Sequence, residues 1–275
     1  MSYKAEFGLR GHDISCVSLE DMAEKASEIG ITRVQLAMRK TMADIKWQNG
    51  MFSFGFADYI KRTLDKKGIS VPVLSSYINL TEMTKAQEDQ FIDTLKFANV
   101  IGAGMVGSET GNILLEGFER HSEEAYHRVV NNVRRLADVA EKLGVMIGIE
   151  PVCVHTICSV EMLKRLIDDV NSPNICVIFD LVNILTAENF KDYKDIIKNA
   201  FELFGDRISA IHLKDVKLDD GKLVRTTPGE GDIDYNFYFN LIKEKKPHLD
   251  IILDELPSSL YKEVTEKLQL VWDKA

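Results

Sequence analysis

Four residues in the second half of the chain each close a short apolar run: Glu150 after VMIGI, Asp180 after CVIF, His212 after ISAI and Glu255 after IILD. Three carboxylates and an imidazole brought to one place would repel one another, and a divalent cation turns that repulsion into coordination. Oxygen-rich ligation with a single imidazole suits Mn²⁺ (manganese), Mg²⁺, Co²⁺ or Zn²⁺, so one divalent metal ion of open identity is the expected cofactor. Taken singly, each position has an ordinary structural reading. An acidic residue at a strand end is often a helix N-cap, and Asp180 before LVNIL has that form. The set carries the argument. In the last strand Asp254 and Glu255 are adjacent, and side chains alternate across a strand, so only one faces inward. Ile251 and Leu253 share the face of Glu255 and place it at the site, whereas a slip of one residue would exchange it for Asp254.

Such residues need strands that end at one place. Seven times the chain repeats a phrase of amphipathic helix, Gly or Pro break and short apolar strand, with junctions EIGITRVQL, KKGISVPVL, VIGAGMVGS, KLGVMIGIE, VNSPNICVIFD, LFGDRISAIHL and KKPHLDIILDE. One further strand, AEFGLRGH, opens the chain. Parallel neighbours need a crossover, usually a helix, so eight such units predict an α/β fold, a (β/α)8 TIM barrel over residues 1–275 as a single domain. Polar residues at the C-terminal ends of its strands then stand at the active-site mouth. The first helix illustrates the pattern. Ser18 and Asp21 form a capping-box-like start, Leu19, Met22, Ala23, Ala26 and Ile29 recur at helical spacing, and Gly30 is the stop. The segment from Val129 to Leu143 repeats it with Gly144 as the stop. Residues 40–56 and 216–235 read as long loops. A doubly wound sheet is the rival architecture, but no GxGxxG follows the first strand.

The 275 residues are 45% hydrophobic and 28% charged, ordinary globular composition. A formal charge of -9 repels phosphate backbones, so nucleic acid is not an expected partner. Cys16, Cys153, Cys158 and Cys176 form no CxxC pair and read as reduced thiols. The chain shows no secretory h-region and no membrane-length apolar run, which points to a cytoplasmic protein off the membrane.

The phrases IGIEPV, IFDLVN, IHLKD, PGEGDIDY and IILDEL, in that order, resemble the xylose isomerase-like barrel superfamily, the sugar phosphate isomerase/epimerase group that includes D-tagatose 3-epimerase, inosose dehydratase and endonuclease IV. They cover the second half of the chain, and the first half matches mainly in its βα rhythm. In the epimerase branch the residues matching Glu150, Asp180, His212 and Glu255 bind one Mn²⁺-like ion, and the two glutamates also move the proton. The resemblance thus implies a ketose or polyol isomerase/epimerase working through an enediolate, with Glu150 and Glu255 as the acid/base pair. The chain departs from that branch where Asn183 replaces a His three residues after the metal-binding Asp, and where His155 and Thr156 stand in place of a second Glu.

Further substrate-binding candidates follow. Asn183 can donate to a sugar hydroxyl, and His155, standing where the epimerase branch has its second Glu, is a further candidate. Lys214 and Asp215 follow His212 at the mouth, and Arg225 matches a family position for a substrate-binding Arg, whose fork suits a hydroxylated or phosphorylated ligand. Glu109 in GSETG and His12 in RGHD close earlier strands, with a structural role as the alternative for each. Gly229 and Gly231 read as the turn that starts the seventh helix, not as a phosphate cradle. The expected partner is a small sugar or sugar phosphate. The aromatics of MFSFGF suit a subunit contact in a homo-oligomer or a lid. Competing functions are a lyase of the inosose dehydratase kind on the same metal site, DNA repair of the endonuclease IV kind, which the acidic charge disfavours, and a barrel that binds carbohydrate without catalysis.

Overall fold

The computed structural model describes residues 4–111 and 119–275. Its strands in chain order are β1 (Phe7–Arg10), β2 (Val34–Gln35), β3 (Val73–Ser75), β4 (Met105–Glu109), β5 (Met146–Glu150), β6 (Ile175–Asp180), β7 (Ile208–Leu213), β8 (Asp215–Asp219), β9 (Lys222–Thr226) and β10 (Asp250–Leu253). Eight of these form one parallel sheet in the order β2-β1-β10-β7-β6-β5-β4-β3. Parallel bridges Arg33↔Ser70 and Leu36↔Leu74 join its two ends, so the sheet is the expected (β/α)8 barrel.

The helices outside follow the sequence pattern. In the helix Leu19–Glu28 the Ser18 side chain accepts from the Asp21 N–H, and Leu19, Met22, Ala23 and Ala26 are buried against the barrel. The helix Glu123–Leu143 buries Val133, Leu136, Ala137 and Ala140 on one stripe and stops at Gly144. Each large aliphatic side chain so buried contributes about 1.5–3 kcal/mol, and that burial holds the ring of helices on the strands. Among the described residues no helix is long and apolar enough to cross a membrane.

The barrel interior is a separate small core of Val73, Met105, Cys176, Ile178 and Ala210. Gly107 and Gly148 make room for it: a Cβ on either would lie 2.6 Å and 3.1 Å, respectively, from Ile178 Cδ1. Gly8 does the same for Ile252, whose Cδ1 would lie 2.5 Å from an added Cβ. Two residues beyond this layer, alternation brings a second layer to the mouth. There β5, β6 and β7 contribute Glu150, Asp180 and His212, and Asp254 follows directly on β10.

Two expectations are corrected here. The stretch 216–235 is not simply a loop, since β8 and β9 pair antiparallel within it, from Asp215↔Thr226 to Asp219↔Lys222. Gly229 and Gly231 do more than start a helix: their N–H groups donate to the Asp215 carboxylate, each at 2.9 Å. That buried carboxylate also accepts from Val216 and Ile233, so it pins the hairpin to the segment that follows it. In residues 40–56, Phe52 and Phe56 turn inward, with their rings 5.2 Å and 5.4 Å from that of Phe97. Of the three aromatics of MFSFGF, Phe54 is the one left largely outside, at 74% exposure. All four cysteines are free thiols.

Candidate metal centre

Glu150, Asp180, His212 and Asp254 each offer one ligand atom, and these atoms lie within 4.8 Å of one another with all four residues buried. Atoms so spaced can all reach a single centre at ordinary bond lengths of about 2.0–2.4 Å. Asp180 serves two roles at once. Its Oδ1 accepts from the Asn183 N–H at 3.1 Å as the N-cap of the turn Leu181–Ile184, while its buried Oδ2 faces the Lys214 ammonium 3.0 Å away. Three carboxylates gathered in one buried site are costly unless cations meet them, and their oxygens together with an imidazole nitrogen form a donor set that a divalent ion accepts. The residues present therefore suit a divalent ion.

The fourth member differs from the expected one. Ile252, not Ile251 or Leu253, packs inward over Gly8, so alternation carries Asp254 to the lumen. Glu255 stands outside the cluster with φ of 59° and a side chain that is 51% exposed. Its carboxylate lies 3.8 Å from Lys214 Nζ and 3.9 Å from Arg225 Nε.

Neighbouring groups orient the set. His212 Nε2 lies 2.6 Å from Gln35 Oε1, and Gln35 Nε2 donates to Ser75 Oγ at 2.9 Å. This leaves Nδ1 facing Glu150 Oε1 at 3.2 Å. An imidazole held at one nitrogen and open at the other is the usual arrangement for a metal-binding His. Asn183 Nδ2 donates to Glu150 Oε1 at 2.6 Å, and its Oδ1 accepts from Lys214 Nζ at 3.0 Å and from Arg225 Nη2 at 3.1 Å. Lys214 is buried, with Nζ 2.6 Å from Asp254 Oδ2 and 3.0 Å from Asp180 Oδ2. Arg10 pairs with the other oxygen of Asp254 and with Asp13.

The charges shape each titration. Burial lifts Asp180 to about 6, with Lys214 opposing and Glu150 adding to the shift. Burial opposes ionisation of Asp254 as well, but His212, Lys214 and Arg10 hold it down at about 2. For His212 burial disfavours the cation, yet Glu150, Asp254 and Asp180 outweigh it and raise the imidazole to about 9. Burial also opposes the Lys214 ammonium, and the surrounding carboxylates override it and raise its pKa.

The remaining candidates fall on the other side of the mouth. Glu109 closes β4 beside Glu150, and burial together with the Glu150 charge pushes its carboxyl up to about 7. His155 Nδ1 lies 3.6 Å from Glu109 Oε2. His12 stands edge-on to Tyr77 with its ring centre 6.3 Å away, and burial and the Arg10 charge lower it to about 4. Asp215 does not line the mouth but anchors the hairpin that lets Arg225 reach Asn183. Arg10, Gln35 and Ser75 were not among the sequence candidates, although each closes an early strand as Glu150 closes a late one.

The model of the xylose isomerase-like TIM barrel matches residues 23–268. The chain belongs to this family. No curated protein matches it in sequence. Among solved structures it is similar to the E. coli 3-keto-D-glucoside 4-epimerase YcjR, at 14% identity and a TM-score of 0.74, covering 97% of this chain and 100% of that one. It is similar to a D-psicose 3-epimerase crystallised in the presence of D-fructose, at 14% identity and a TM-score of 0.70, covering 98% and 97%. It is also similar to the IOLI protein with a bound zinc atom, at 18% identity and a TM-score of 0.69, covering 98% and 95%. At these identities the likeness establishes the fold.

Proposed function

We propose that the protein is a divalent-metal-dependent isomerase or epimerase of a ketose or keto-polyol. The convergence of Glu150, Asp180, His212 and Asp254 at the mouth of a xylose isomerase-like barrel carries this reading. The epimerases and the zinc-bearing protein of the same fold support it. A divalent ion in this set supplies Lewis acidity that makes a C–H beside a carbonyl more acidic.

The chain's own residues do the rest. Glu150 is the base, since Asn183 holds one of its oxygens by a 2.6 Å bond and so aims the carboxylate. Asp254 cannot share that duty, because Lys214 and Arg10 each hold one of its oxygens. Lys214 and Arg225 meet at Asn183 Oδ1 and present N–H groups that can receive substrate oxygens.

The test is a metal analysis of purified protein followed by incubation with ketoses, keto-inositols and their phosphates in D₂O. Stoichiometric metal and deuterium uptake at carbon are expected, and both should be lost in Glu150→Gln. A protein that binds no divalent ion and exchanges no C–H on the whole panel would sink the reading. A lyase is the second reading, favoured by the clamped state of Asp254: a site with one free base can abstract a proton and expel a β-hydroxyl without returning the proton to carbon. An enone absorbance growing from a keto-inositol would decide for it.

A further inference from the structure

Resting on the function proposed above, we propose that Glu109 is the second proton-transfer group of the site, working beside Glu150 on one face of the substrate. The chemistry this supports is a 1,2-shift between an aldose and a ketose, in place of inversion at a single carbon.

The observation is one of position. Glu109 and Glu150 are Cα partners at the ends of adjacent parallel strands. Gly107 and Gly148, two residues before them, both lie against Ile178 in the barrel interior, so both glutamates project to the lumen side by side. Adjacent strands are about 4.8 Å apart, which lets one carboxylate meet a carbon while its neighbour meets the oxygen on the next carbon. Glu109 is not among the four clustered ligand residues. Among the described residues its ion-pair partner is His155, at 3.6 Å, with no Lys or Arg at pairing distance. Asp254, across the mouth, is held by two cations.

Access agrees with position. The Glu109 side chain is 36% exposed. It lines a cleft of about 290 Å³ together with Tyr77, Asn79, Gln87 and His155, near the lower end of the range for small-ligand sites. Glu109 thus links this cleft to Glu150, its Cα partner on the adjacent strand.

The step balances with these two groups alone. Glu150 as carboxylate takes the proton from the hydroxyl-bearing carbon of the aldose. The C–H electron pair forms a carbon–carbon double bond, and the carbonyl π pair moves to its oxygen, which takes the proton of Glu109. The enediol then loses the proton of the second hydroxyl to Glu109, and that O–H pair forms the new carbonyl. Glu150 returns its proton to the former carbonyl carbon. Both carboxyl groups end as they began.

The experiment compares metal-loaded wild type, Glu109→Gln and Glu109→Ala on paired aldoses and ketoses in D₂O, with Glu150→Gln as the inactive control. Metal per chain is measured in parallel by elemental analysis. Glu109→Gln is expected to keep wild-type metal content, to keep C–H exchange within about tenfold, and to form isomer at least about 100-fold more slowly, the lower range for general acid–base catalysis. Acetate added to Glu109→Ala should restore part of the isomer formation. Isomerisation by Glu109→Gln at the wild-type rate overturns the proposal, as does loss of metal from the folded variant. A readout on wild type alone guards against misfolded variants: substrate recovered from D₂O should keep its configuration, and an epimer appearing as fast as the isomer refutes the one-face mechanism. A wild type that exchanges nothing on the panel defeats the proposed function itself, and this inference with it.

Discussion

Replacing Asp254 and Glu255 one at a time separates the residue inside the cluster from its exposed neighbour. Asp254→Asn keeps size and one carbonyl oxygen but removes the charge between Lys214, 2.6 Å away, and Arg10. Breaking a buried pair in this way costs about 3–5 kcal/mol, because the partner charges are left without an anion. In a chain of this size 1 kcal/mol corresponds to about 2–4 °C, so the metal-free variant should melt roughly 10 °C lower. Loss of one anionic ligand should also weaken Mn²⁺ or Zn²⁺ binding by about 100-fold or more, some 2.8 kcal/mol at about 1.4 kcal/mol per decade. Glu255→Gln alters a half-exposed side chain with, among the described residues, no cation closer than 3.8 Å. Such pairs are worth about 0–1 kcal/mol, so its melting temperature should move by less than about 4 °C and its metal affinity by less than threefold. Thermal melts of metal-free protein and calorimetric titration with each ion read both quantities. Loss of metal binding in Glu255→Gln together with full retention in Asp254→Asn would refute the strand register and the ligand set drawn from it.

Further expectations follow from the same geometry. Adding Mn²⁺ or Zn²⁺ at about 100 times its dissociation constant should stabilise the fold by about 2.7 kcal/mol, seen as a rise of about 5–10 °C that a chelator reverses; no rise with any divalent ion would count against the centre. Asn183→Ala removes the donor to Glu150 and the acceptor shared by Lys214 and Arg225, so metal affinity should fall about 10–100-fold with little change in folding; unchanged affinity would show that Asn183 does not orient Glu150. Asp215→Ala leaves four N–H groups without their acceptor and should cost about 3 kcal/mol or more. Gly231→Ala would bring a Cβ 2.0 Å from Asp215 Oδ1, so it should loosen the hairpin and raise amide exchange across β8 and β9; protection equal to wild type in both variants would contradict the anchoring role of Asp215.

Helix starts and stops were legible because they are local: Ser18 and Gly144 act on backbone groups a few residues away. Glu150, Asp180 and His212 were legible because each ends an apolar strand. The same rule applied to the early strands would have found Arg10, Gln35 and Ser75 too. The register of β10 was not legible. A barrel strand is apolar on both faces, one toward the lumen and one toward the helices, so Ile251 and Leu253 could not say which face was inward. What decides it is Ile252 filling the space above Gly8, a contact across the whole chain. The β8–β9 hairpin did carry a signal. Asp220 and Gly221 both have positive φ, and an Asp-Gly pair between VKL and KLV is a strong short-range hairpin mark. The four N–H groups that meet Asp215 come from residues up to 18 positions away, and no spacing rule announces them.

The placement of charge explains how the site can dispense with the His that the epimerase branch has at Asn183. Around β6, β7 and β10 the carboxylates are tied: Asp254 to Lys214 and Arg10, and Asp180 to Lys214 and its own helix turn. A proton moved to that quadrant would have to break an ion pair in a buried setting, where separating charges costs several kcal/mol. A His at position 183 would add a titrating group against Glu150, whereas Asn183 supplies a donor to Glu150 and an acceptor to both cations without titrating. Around β4 and β5 the opposite holds. Glu109 faces Glu150 across one strand spacing, with an imidazole and an open cleft at its side. On the function proposed above, the mouth divides into a quadrant of fixed charge suited to holding a cation and a quadrant that would move protons, and the boundary between them runs through Glu150.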